Sequence, residues 1–300
     1  MLNVESIMKN DSVLELSSTM DSIYRTYQKE KEKLLADYET KKKECQQLLL
    51  AIDNIRTAYL TPYINQLYQE LEEFGSPSKK PNYTVLLTDQ SITKDWKDSE
   101  IKRTYLIAKK RLSKDKKDSK DIVTKFIYEW TSNKKKLEVG NQDLKKLRDM
   151  VALQKQGYLE EISKVSDVLP KLKLYLDVLI DLKINIKEII LPETEGIHAF
   201  LVAKNIAEQV TVRQYPGTVT LESILKLVNT PYEKHYLFIK QVFRFYANMV
   251  ELLEYTINVD FCTKNSITPK EFSWILEKKE AMEDSVNEMK MNLFYIQKRV

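Results

Sequence analysis

The sequence predicts a mainly all-α protein: long coiled-coil-like helices joined to a helical bundle, with at most one small β-hairpin. Three observations carry the prediction. Near the N-terminus, Met20, Tyr24, Tyr27, Leu34, Tyr38, Cys45, Leu48, Ile52, Ile55 and Tyr59 recur in a 3–4 rhythm broken only by Lys31 and Lys41. Near the C-terminus the same rhythm runs through Ile275, Met282, Val286, Met289, Leu293, Ile296 and Val300, broken only by Lys279. That period keeps one stripe of a helix facing a neighbouring helix over many turns. Third, there are 5 glycines in 300 residues, where average usage gives roughly 21. Few glycines means few tight turns with positive φ, hence few hairpins and few phosphate-cradling loops.

Taken in order, the first helix is expected from near Val13 to Leu60, with a restart at Thr61-Pro62 because threonine caps free N–H groups and proline suits the first helical position. The run from Gly75 to Pro81 reads as a linker. Tyr83 to Leu87 is β-prone but short. A helix is expected from Trp96 to Leu112. Ser113 to Asp121, nearly all Lys, Asp and Ser, is a solvated loop or a fraying helix end. Ile122 to Trp130 is amphipathic, and Asn133 to Gly140 marks a corner. A long helix then runs from Asn141 to about Ile190 with the seam Val165, Leu169, Leu172, Leu176, Leu179, Lys183, Ile186 and Ile190. Pro170 is expected to kink it or mark a restart, and Leu191-Pro192 to end it. A shorter helix follows to Glu208. Val210–Val212 and Val219–Leu221, flanking Tyr215-Pro-Gly217, fit a small hairpin or an irregular loop before a helix. Thr230-Pro-Tyr-Glu233 and Thr268-Pro-Lys-Glu271 each place a cap, an N1 proline and a capping-box glutamate in order. They open an aromatic-rich helix to about Val259 and a last helix to nearly Val300. Three segments result: 1–74, a long N-terminal helix; 75–140, a linker and basic helical stretch; and 141–300, a helical bundle. The spacing shows no fixed-length repeat.

Hydrophobic residues make up 43% of the chain, enough for a packed core and too many for wholesale disorder. The net charge of +4 is too small for the whole chain to read as a nucleic-acid binder. Its distribution is uneven. Lys102, Arg103, Lys109, Lys110 and Arg111 are followed by Lys114, Lys116, Lys117, Lys120 and Lys125, and then by Lys134, Lys135 and Lys136, against four acids in the same stretch. Three readings compete for this segment: a solvated helix face, a surface for anionic lipid headgroups, or contacts to nucleic-acid phosphates. Lysine outnumbers arginine there, which argues against bidentate base reading. The two cysteines form no CxxC pair, so a free buried thiol and a reducing, cytoplasmic-type compartment are expected. The N-terminal residues have no basic start followed by an apolar run, so no secretory signal is expected. The most apolar window, Val165 to Leu191, carries too many charges for a membrane span.

The residue patterns that accompany catalysis are missing. The sequence has no GxGxxG, GxxxxGK[ST], GxSxG, HExxH, EF-hand loop or Cys/His zinc spacing, and so lacks the common grips for nucleotides, nucleophiles and metals. His198 and His235 stand far apart without a neighbouring cysteine or paired acid. No catalytic residue, cofactor, metal or small-molecule substrate is therefore expected. The leading expectation is a non-enzymatic, elongated helical scaffold or assembly subunit that holds protein partners, or further copies of itself, through its seams. The alternatives are a BAR-like curved helical dimer on anionic membranes and, behind it, nucleic-acid association through 102–136. A seam lysine sets register at a stability cost, or buries its stem and carries its ammonium out to water.

Overall fold

The computed structural model describes residues 2–77, 80, 98–113, 122–204, 210–215, 218–223, 230–254 and 269–298. In chain order these form α1 (Leu2–Asn54), a π-helical segment (Ile55–Leu60), α2 (Thr61–Glu72), β1 (Gly75–Ser76), α3 (Asp98–Ser113) and α4 (Ile122–Asn185). A second π-helical segment (Ile186–Ile190) follows, then α5 (Leu191–Ala203), β2 (Val210–Tyr215), β3 (Thr218–Ser223), α6 (Glu233–Glu254) and α7 (Pro269–Gln297). The mainly all-α class holds. The chain packs into two units, one of Met1–Lys42 with Ile92–Ser166, the other of Lys43–Ser91 with Asp167–Val300. This differs from three consecutive segments. Two of the three cuts, after Lys42 and after Ser166, fall inside continuous helices, α1 and α4, where no change of composition marks them, and the third lies outside the described residues.

In the first unit, α1, α3 and α4 bury one shared core. Val13, Leu16, Met20 and Tyr27 meet Ile101, Ala108 and Leu112, and these meet Leu144, Leu147 and Val151. Gly140 explains how the helices come so close. A Cβ there would stand 2.5 Å from Leu16 Cδ2 and 3.0 Å from Leu112 Cδ2. The expected corner at 133–140 is therefore absent: α4 is helical throughout, and the glycine serves packing rather than a turn. α3 carries Asp98 and Glu100 in its first turn and Lys110 and Arg111 in its last, the arrangement the helix dipole favours.

In the second unit, the aromatic face of α6 is core. Phe238, Phe243, Phe245 and Tyr246 are fully buried, and fully burying such a side chain is worth about 1.5–3 kcal/mol. The α7 stripe Ile275, Met282, Val286, Met289 and Leu293 is buried too, and α7 is the chief packing partner of α6. Thr230 Oγ1 accepts a hydrogen bond from the Tyr232 N–H at 3.3 Å, as the cap motif predicts. The far end of α6 is closed by side chains from elsewhere in the unit. The Arg56 guanidinium donates to the Leu253 carbonyl, and the Tyr175 hydroxyl donates to the Leu252 carbonyl at 3.2 Å. A buried cation at a helix C-terminus meets carbonyls that have no partner within the helix.

Pro62 and Pro192 each sit in the first turn of a new helical element, α2 or α5, as expected of a proline that opens a helix, but they follow a π-helical segment rather than a break in the backbone. There the Thr61 N–H bonds to the Arg56 carbonyl and the Leu191 N–H to the Ile186 carbonyl, five residues back. The wider turn relieves the clash between a proline ring and the carbonyl four residues earlier, so the helix continues. The Thr61 hydroxyl does not cap N–H groups but donates to the Arg56 carbonyl at 2.9 Å. Pro170 lies within α4 with its ring exposed, and α4 stays helical through it.

The hairpin is present. β2 and β3 pair antiparallel from Val210 with Ser223 to Tyr215 with Thr218. The two-residue β1 adds parallel to β2, Gly75 opposite Val212, a pairing that periodicity does not reveal. The β-prone run 83–87, Lys114, Lys116, Lys117 and Lys120, and the cap at 268 lie outside the described residues.

Candidate functional site

The seam residues are mostly inside their own units. Met20, Tyr27, Tyr38, Cys45 and Ile52 are buried, while Tyr24, Leu34 and Leu48 are half-buried. The stripe then departs from prediction. Ile55 is half-buried and Tyr59 is 45% exposed, while Arg56 and Leu60 take the core positions. The π-helical turn at 55–60 is the cause, because one extra residue in a turn rotates the following positions. In α7, Ile275, Met282, Val286, Met289 and Leu293 keep the predicted phase, joined by buried Ser285 and Asn292, and Ile296 is half-buried.

The interrupting lysines have partners. Lys31 Nζ lies 2.6 Å from Asp98 Oδ2. The Tyr158 hydroxyl donates to the same carboxylate at 3.0 Å, and the Tyr27 hydroxyl donates to Oδ1. One carboxylate at the start of α3 thus joins α1 and α4. Burial raises the Asp98 pKa, but Lys31 and the two hydroxyls outweigh burial and hold it below the ordinary carboxylate value. Burial first, then the hydrogen bonds to Asp98, push both tyrosine pKa values upward. Lys41 donates to Ser166 Oγ at 3.0 Å. Lys183 stands 4.2 Å from the centre of the Tyr59 ring, a cation–π contact. Lys279 pairs with Glu283 one turn on at 3.1 Å. Asp98 and Tyr158 belong to no local motif and were invisible to sequence reasoning, since Asp98 is 67 residues from Lys31.

The basic segment is partly neutralised. Lys109 binds Asp21 Oδ2 at 2.7 Å and Ser17 Oγ at 2.9 Å, and the Tyr105 hydroxyl donates to Asp21 Oδ1 at 2.7 Å. Tyr105 also stacks on Tyr24, ring centres 4.2 Å apart. The bonds from Lys109 and Tyr105 hold the Asp21 pKa down. Arg111 reaches both oxygens of Asp143 at 3.0 Å. Lys102, Arg103, Lys110, Lys134 and Lys135 are exposed, and Lys136 is half-buried.

A groove between α3 and α4 in the first unit has a volume of about 540 Å³. Its apolar wall is Ile107, Met150 and Leu153, and Leu153 is 72% exposed. Arg103 and Lys146 line it beside Glu100. Leu106, next to it on α3, is also exposed. Such apolar side chains off the predicted seam are the signal that periodicity alone passes over.

A second, smaller cavity of about 290 Å³ lies in the second unit, between α5, the start of α6 and the end of α7. His235 forms part of its wall. The imidazole stacks on Phe200, ring centres 4.9 Å apart and nearly parallel, and its Nδ1 is buried without a hydrogen-bond partner. Burial holds the His235 pKa below its ordinary value. His198 takes no part in this cavity. Its Nδ1 is 3.2 Å from Glu70, and its ring meets Phe74 edge-on. Among the described residues no group of three or more His, Cys, Asp or Glu side chains is placed to hold a metal ion, and no helix is long and apolar enough to cross a membrane. Comparison with protein-family profiles, curated proteins and solved structures finds no match to this chain.

Proposed function

We propose that the protein is a non-enzymatic helical scaffold that holds an amphipathic helix of a partner protein on the α3–α4 face of its first unit. The observation that carries this reading is the exposure of Ile107 and Leu153 in a groove lined by Arg103 and Lys146. The predicted seams are mostly buried within each unit, and this groove combines exposed apolar side chains with flanking cations. An acidic amphipathic helix fits it, with leucine-like anchors against Ile107 and Leu153 and carboxylates toward Arg103 and Lys146. The acids of the first unit support a structural role for its charges, because Asp21, Asp98 and Asp143 are each engaged by a lysine or arginine from another helix.

A photo-crosslinking residue at Leu153 in the full chain, expressed in its native source, tests the reading. The expected result is a discrete protein adduct that disappears on Arg103→Glu with Lys146→Glu while the thermal midpoint stays put, since exposed substitutions of this kind change stability by about 0.5 kcal/mol or less. An adduct indifferent to those charges would refute it. Salt-sensitive sedimentation with anionic vesicles, with no adduct, would favour the membrane alternative instead.

A further inference from the structure

We infer that the C-terminal end of α7 is a docking face for the surface of an anionic lipid bilayer, with Met291 and Phe294 entering the headgroup region. This goes beyond the scaffold reading and stands independently of it, on a different unit. The face is the outer stripe of α7. Glu277, Glu280, Asp284, Met291, Phe294 and Lys298 fall on one 3–4 repeat, which keeps them on one side of the helix, and all six are exposed. The stripe changes character along its length. Its first half is acidic. Its end is apolar and basic, with no Asp or Glu from Met289 to Lys298. There Met291 is 61% exposed, Phe294 51% and Tyr295 46%. Glu288, the last acid of the helix, is engaged by Gln241 at 2.8 Å.

Cations stand beside these apolar groups. Lys298 Nζ lies 4.2 Å from the centre of the Phe294 ring, and Lys234 of α6 lies 5.1 Å from that of Tyr295. Lys290, one turn before Phe294, is exposed. At this end of the unit Lys204, Lys234, Lys290 and Lys298 stand against Glu193 and Glu233. The occupant that matches is both apolar and anionic. Three side chains expose a few hundred Å² at most, short of the roughly 800 Å² per partner of a stable protein interface. A bilayer sets no such threshold, because each inserted side chain and each lysine adds its own increment. Its headgroup region takes Tyr295, its acyl boundary takes Met291 and Phe294, and acidic lipids meet the lysines. The same lipids repel Glu277, Glu280 and Asp284, so α7 meets the surface by its end rather than along its length. The contact is peripheral, since no described helix is long and apolar enough to cross a membrane.

The test is sedimentation of the full chain with vesicles of phosphatidylcholine alone and with vesicles holding about a third phosphatidylserine. Binding is expected to the second kind and should weaken as salt rises. Met291→Gln with Phe294→Gln should weaken it about tenfold or more and leave the thermal midpoint in place, because both side chains are exposed. Lys290→Glu with Lys298→Glu should also weaken it about tenfold or more. The same charge change at exposed Lys134 and Lys135 of the first unit should leave it within about twofold. An environment-sensitive dye on Met291→Cys, in a Cys262→Ser background, should shift to the blue when the acidic vesicles are added, and the same dye on Glu277→Cys should not. Three results would each overturn the inference: no binding to the acidic vesicles, binding that follows Lys134 and Lys135 rather than the two α7 pairs, or a dye at Met291→Cys that stays in water. A dye at Met291→Cys that is covered at high protein concentration without lipid would overturn it too, and would give the face to a second copy of the chain.

Discussion

Asp98 shows how one side chain can organise a helical unit. Its carboxylate receives Lys31, Tyr27 and Tyr158, so a residue in α3 sets the axial position of α1 and α4. Replacing it with asparagine keeps the shape but removes the charge that draws these donors. Hydrogen bonds to charged groups contribute about 1.5–3 kcal/mol, and Asp98→Asn is expected to lower stability by an amount in that range in urea denaturation. The pH dependence follows from the shifts. Asp98 has a folded pKa below its unfolded one, so its contribution is present above the unfolded value and is lost as pH falls through the folded value. Tyr27 and Tyr158 have raised folded pKa values, so ionisation in the unfolded chain begins first and stability declines as pH rises above about 10. Urea midpoints at pH 3, 7 and 11 should therefore peak at pH 7, with Asp98→Asn flattening the acid side. The lysine at position 31 was legible as a break in the seam; its partner was not, because nothing in local spacing points 67 residues ahead.

Helices explain where periodicity succeeded and where it slipped. The phase of α7 was legible from Ile275 to Leu293 because nothing interrupts the α-helical turn. In the first stripe the buried positions run Ile52, Arg56, Leu60 and Ile64, four apart each time, and a strict 3–4 reading selects Ile55 and Tyr59 instead. The π-helical segment acts as one inserted residue. Deleting exposed Ala58 should remove the wider turn and bring the Pro62 ring against the carbonyl four residues earlier, so a loss of about 3 kcal/mol is expected while melting stays cooperative. Deleting exposed Ala36, within α1, throws the preceding and following stripes out of phase and is expected to abolish cooperative melting. Gly140 was misread for a related reason, since a sequence does not say whether a missing side chain serves a turn or a close contact. Gly140→Leu should cost about 1–3 kcal/mol by overpacking against Leu16 and Leu112. Gly196→Ala, in an exposed helix interior with free space, should instead add about 0.5–1 kcal/mol. Denaturant midpoints of the two variants check both signs.

At the scale of the molecule, two units each bury their own apolar stripe, and among the described residues the chain crosses between them inside α1 and α4. The helical class was legible because strong periodicity is a local signal, whereas Pro-Gly between two β-prone runs left the hairpin as one of two readings. The unit boundaries were not, because a contact-defined unit here draws on distant segments of one chain. The account rests on stripes buried by helix against helix within the protein. Thiol labelling tests this most directly, in a Cys262→Ser background where native Cys45 is buried and its thiol is pushed up to about 11. Single variants Met20→Cys and Met289→Cys on the stripes, and Leu153→Cys and Met291→Cys off them, would be labelled in the native state at several protein concentrations. The account predicts that Cys45 and the two stripe positions react at least about 100-fold more slowly than the two off-stripe positions, because labelling must wait for local opening, and that the rates do not depend on concentration. Stripe positions that label as fast as Leu153→Cys would contradict it.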